Sequence, residues 1–134
     1  MTRYLLDTNT VSHLIRSHPL VAQRVTQVPM ASLCISAITE GELLFGLAKR
    51  PDATRLHVAV REFLRRVDVL PWNSADRYGV ARADLEVCGK CLAPLDLLIA
   101  AHALSVGAVL VTNDHAFAFV RGLEIEDWTI DASH

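Results

Sequence analysis

No apolar stretch in these 134 residues is long enough to cross a membrane. The longest, "LLIAAHALSVGAVLV" at 97–111, falls short of the roughly 18 to 20 residues a span needs. Gly107 divides it into a helix and a strand. The first apolar run stops at Asp7, too early for a signal peptide. The three cysteines, an odd number in an unexported chain, point to free thiols rather than a disulfide scaffold. With five prolines, six glycines and no repetitive tract, neither a disordered chain nor a solenoid is expected. Nor is there an excess of one charge. The formal net charge is -2, so no global basic signature draws the chain toward nucleic acid. A local patch or bound cations would have to supply the positive charge that a polyanionic substrate requires.

What is present is apolar residue, 51% of the chain, enough for a single soluble cytoplasmic domain over 1–134 with a proper core. Short β-branched or aliphatic runs predict strands at 4–6, 33–36, 67–70 and 108–112, with a weaker one at 123–128. Helix-length segments alternate with them at 9–16, 19–28, 37–50, 53–66, 74–87 and 94–106. Pro19 and Pro94 sit at first-turn positions that suit proline. Such alternation predicts an α/β domain whose central parallel sheet is covered by helices on both faces. The 53–66 segment carries Leu56, Val60, Phe63 and Leu64 on one stripe opposite charge, an amphipathic face for the core, a second subunit or a partner helix.

Four acids fall at informative places. In "RYLLDTNTVS" the apolar run ends in Asp7, at the sheet edge where open α/β folds bind ligands. Asp7 is equally placed to cap the next helix. "AVLVTNDHAF" repeats the pattern and delivers Asp114, and the carboxyl ends of parallel strands share one edge. In "APLDLLIAAHAL", Asp96 lies in the first turn of a helix that is apolar all round and therefore buried. An acid there complements the helix dipole, but its burial favours a functional role. "ISAITEGELLFG" offers Glu40 and Glu42, about 200° apart on a helix, so at most one faces the others. Periodicity leaves that choice open.

Crowded carboxylates repel one another and raise their pKa values unless cations sit between them. An all-oxygen set selects Mg2+ or Mn2+ over zinc, and a pair of such ions about 3.5 to 4 Å apart supports phosphodiester hydrolysis. Thr8, Asn9, Ser36, Thr112 and Asn113 would orient ligands or water behind the acids. Lys49, Arg50, Arg77, Arg82 and Lys90 are candidate contacts for RNA phosphates, although scattered charge of this kind is usually solvated surface. Cys88 and Cys91, in "CGKC", are half of a zinc site or a redox pair. With only Cys34 left, and no evident spacing to His102 or His115, incidental thiols are the better reading.

"LLDTNTVS", "ISAITEGELLFG", "PLDLLIAAHAL" and "VLVTNDHAF" occur in the order found in PIN-domain ribonucleases, and the chain resembles the VapC toxins of VapBC toxin–antitoxin pairs from Tyr4 to Trp128. The family's helix pattern, an acid before leucine and four residues before glycine, falls on Glu42. The resemblance implies a three-layer α/β/α fold and RNA cleavage dependent on Mg2+ or Mn2+, with tRNA, initiator tRNA among them, as the expected substrate. It also implies a homodimer and a VapB-type antitoxin that blocks the site and builds a larger assembly. The four acids match the family pattern, whereas "CGKC" is no part of it. Two rivals remain: phosphoryl transfer through an aspartyl-phosphate at Asp7, which would want a second acid where Asn9 stands, and a catalytically silent PIN-like binding module.

Overall fold

The computed structural model describes residues 1–131, so the last three positions of the expected 1–134 domain lie outside the described residues. Five strands form one wholly parallel sheet in the order β3-β2-β1-β4-β5: β1 Tyr4–Leu6, β2 Leu33–Ser36, β3 Asp68–Leu70, β4 Val109–Val111 and β5 Ile125–Glu126. Six helices cover it: α1 Thr8–Ile15, α2 Pro19–Thr26, α3 Ala37–Lys49, α4 Thr54–Arg66, α5 Ala75–Val87 and α6 Pro94–Val106. All eleven elements are the expected ones. The outer strands are shorter than predicted, and two 3-10 turns, Met30–Ser32 and His115–Phe119, were not foreseen. Among the described residues, no helix is long and apolar enough to cross a membrane.

Side chains alternate across a strand, so each central strand feeds two cores. Leu5, Cys34 and Leu110 face α5 and α6, packing with Ala81, Leu85, Leu97 and Ile99. Leu6, Ile35 and Val111 face the opposite layer, with Val11, Val21, Leu43, Leu47, Val60 and Trp128. The stripe on α4 joins this second core: Val60 is buried, with Leu56, Phe63 and Leu64 packed against it. Helix α6 stops at Gly107, whose φ of +67° lets the chain turn directly into β4.

The topology positions the site. From β1 the chain steps outward to β2 and β3, then returns to the other side of β1 for β4. That reversal opens a crevice at the carboxyl ends of β1 and β4. β1 and β4 pair in register, Leu6 against Val111, so the residues that follow them emerge side by side.

Candidate active site

Asp7 follows β1 directly and is only 4% exposed. Its role is double. The backbone N–H of Thr10 donates to Oδ1 at 2.8 Å, which caps α1. The carboxylate also accepts from the Thr112 hydroxyl. Burial pushes its pKa up, these hydrogen bonds pull it back, and the charge of Asp114 raises it further.

Asp114 arrives from β4 in a similar way. The Ala116 N–H donates to its Oδ1 at 2.9 Å and caps the 3-10 turn, while its own N–H donates to Thr112 Oγ1 at 3.0 Å. Thr112, 1% exposed, therefore links the two aspartates.

Asp96 stands in the first turn of α6 with a raised pKa of about 6. Burial is the main cause, followed by the negative charges of Asp114, Glu42 and Asp7. Acids from four separate elements thus act on one another at one end of the sheet. Glu42 is the fourth, and Thr8 Oγ1 donates to its Oε1 at 2.5 Å. Glu40, left open by periodicity, lines a groove beside His57, Arg61 and Arg65 of α4.

The other expected residues divide. Thr8 and Thr112 contact the acids. The Asn113 amide donates to His13 Nε2 at 3.4 Å, and Asn9 is exposed. Ser36 supports no acid directly: its Oγ accepts from the Ile38 N–H, capping α3, and pairs with His102 Nδ1 at 2.8 Å. Among the basic candidates, Lys49 and Arg50 line a groove of about 250 Å3 together with Thr8 and Glu42. Arg82 and Lys90 line a different cavity with Tyr78 and Cys91, Lys90 lying 4.5 Å from the Phe119 ring centroid. Arg77 is exposed on α5. Cys88 and Cys91 are exposed free thiols at the end of α5, and Cys34 is buried.

Sequence reading missed Thr39, a buried residue 3.4 Å from the Thr8 hydroxyl. It lies three residues before Glu42 and so on the same helix face, a signal that was legible. It also missed His102 as a buried partner of Ser36.

Among the described residues, no three carboxylate, imidazole or thiolate groups close on a single point as they stand. The donor chemistry nonetheless fits a hard divalent cation. The cluster offers carboxylate and hydroxyl oxygens, and the raised pKa values of Asp7 and Asp96, set by burial and then by neighbouring acids, are the strain that such a charge relieves.

The PIN domain family matches residues 4–123. A tRNA(fMet)-specific endonuclease VapC of Shigella flexneri is 34% identical over 96% of this chain and 100% of its own length. Ribonuclease VapC2 of Haemophilus influenzae is 36% identical over 96% and 99%. The crystal structure of DNA-bound VapBC from Salmonella typhimurium superimposes with a TM-score of 0.88 at 36% identity, covering 96% of this chain and 99% of that one. Fold and these likenesses agree: the chain belongs to the PIN-domain family, within its VapC ribonuclease group.

Proposed function

We propose that the chain is the RNA-cleaving toxin of a VapBC-type pair, a phosphodiester hydrolase that requires Mg2+ or Mn2+ and acts on tRNA. The observation that carries the proposal is Asp96, whose carboxyl is raised to about 6 partly by three other acids at the crevice between β1 and β4. A folded chain that holds repelling carboxylates together is built to receive positive charge there.

Asp7, Asp96, Asp114 and Glu42 would hold the cation. When bound, it supplies Lewis-acid activation of water and neutralises charge building on the phosphate. The protein's part is preorganisation. Thr10 and Thr112 fix the Asp7 carboxylate, and Thr8 aims Glu42. With a pKa of about 6, Asp96 is mostly ionised at neutral pH and protonated below that value, so cation affinity would fall as pH drops through it. Lys49 and Arg50 line the groove that starts at Glu42 and offer contacts to RNA phosphates.

Similar proteins named as tRNA(fMet)-specific endonucleases support tRNA, initiator tRNA first, as the substrate. The VapBC complexes among similar structures support a VapB-type antitoxin as partner; a toxin homodimer within that assembly is part of the proposal. The test is cleavage of a total tRNA pool by purified protein with Mn2+, beside EDTA and an Asp7→Asn control prepared identically. Cutting at one position by the Mn2+-loaded parent alone is the expected result. Equal cutting by parent and Asp7→Asn refutes the assignment.

A further inference from the structure

His102 is 0% exposed in the third turn of α6, and Ser36 is 0% exposed at the start of α3. Their side chains meet at 2.8 Å, and proton accounting fixes how. Ser36 Oγ already accepts from the Ile38 N–H at 3.1 Å. If its O–H donates to Nδ1, the imidazole is neutral with its proton on Nε2, and Nε2–H is the one group without a partner. If Nδ1–H donates instead, both the serine proton and the Nε2 lone pair are stranded. A charged imidazolium is opposed by burial, which lowers the His102 pKa. The neutral Nε2–H form strands least.

The bond has consequences for the acids. Ser36 lies six residues before Glu42, and His102 six residues after Asp96, about 9 Å along each helix. Among the described residues this is the only side chain–side chain hydrogen bond between α6 and the β2–α3 corner. An apolar side chain would fill the same space without stranding a donor. The imidazole is therefore explained by its acceptor nitrogen. We infer that His102 is a positioning residue of the cation site: by accepting from Ser36 it fixes the offset of α6 against α3 and so holds Asp96 in place opposite Glu42.

This inference rests on the proposed cation site, and its test needs no RNA. Mn2+ affinity is measured by calorimetry on the parent, His102→Leu (similar volume, no acceptor) and His102→Asn (acceptor kept near Nδ1), all well below their melting temperatures. Both substitutions lower Tm. His102→Leu is expected to weaken Mn2+ binding about tenfold, and His102→Asn to stay within about threefold of the parent. Nitrogen-15 NMR of the parent is expected to show Nε2 protonated and Nδ1 bare. Equal Mn2+ affinity in parent and His102→Leu overturns the positioning role and leaves a purely structural histidine. Equal weakening in both variants, or a protonated Nδ1, also overturns it. A parent that binds no Mn2+ removes the cation site itself, and this inference with it.

Discussion

Replacing Asp96 with asparagine is expected to stabilise the protein at neutral pH in EDTA. The Asp96 carboxyl moves from an ordinary value of 3.8 to about 6 on folding. At 1.36 kcal/mol per pH unit this penalises the ionised folded form by about 3 kcal/mol at full strength. Asp96 is only half-buried, and solvent screening cuts that to roughly half. The N-terminus of α6 favours a negative charge by about 0.3 to 1 kcal/mol, which asparagine forfeits. The net gain is about 1 kcal/mol, or roughly 3 to 5 °C in Tm for a chain of this size. Because the folded pKa lies above the unfolded one, the penalty is complete above about 6. It fades as pH falls from there toward 3.8 and is absent below. Thermal unfolding of parent and Asp96→Asn in EDTA at pH 7.5 and pH 3.5 reads this directly. Saturating Mn2+ is expected to reverse the order, raising the parent's Tm and leaving the variant's nearly unchanged. An Asp96→Asn Tm at or below the parent's at pH 7.5, or a difference that persists at pH 3.5, refutes the reasoning.

Asp7 separates its two roles by substitution. Asp7→Asn keeps an oxygen for the Thr10 N–H and is expected to lose cleavage with little change in stability. Asp7→Ala loses cleavage and about 1 kcal/mol of cap as well, read by urea unfolding. Glu42→Gln is expected to slow tRNA cleavage at least 100-fold, whereas Glu40→Gln, on the groove toward α4, leaves the rate within twofold. Thr8→Val frees the Glu42 carboxylate and is expected to weaken Mn2+ binding about tenfold by calorimetry while Tm stays within a few degrees.

Fold and site were legible in the sequence to different depths. Strands β1, β2 and β4 read clearly because burial on both faces turns them into apolar runs, such as Leu33, Cys34 and Ile35 in β2. The edge strand β5 has only two residues, and neither is fully buried, so its run in the sequence is diluted by Glu124 and Glu126. Three of the acids were legible because each follows an apolar run or opens an apolar helix. The choice between Glu40 and Glu42 was not, since α3 carries apolar residues around both and its burial is spread over Thr39, Leu43 and Leu47. Here the family pattern points to Glu42, and in the structure it is Glu42, not Glu40, whose charge bears on Asp96. The partner of Ser36 is what sequence cannot display: a buried histidine 66 residues away pairs with its hydroxyl.

Asp7 posed the choice between helix cap and site member, and the two turn out to be compatible. Where a strand ends and a helix begins at one sheet edge, free backbone N–H groups collect, and an acid placed there caps through one oxygen. Asp114 caps its 3-10 turn in the same way, and Asp127 closes the turn just after β5, its Oδ1 accepting from the Thr129 N–H at 2.8 Å. Capping therefore identifies none of them as functional. What distinguishes Asp7 and Asp114 is the strand each one follows. β1 and β4 flank the reversal in strand order, so both acids bear on Asp96, whereas β5 lies at the sheet's outer edge and Asp127 does not contribute there. The discriminating information is strand order, which depends on how the connections cross the sheet and is carried by no local stretch of sequence.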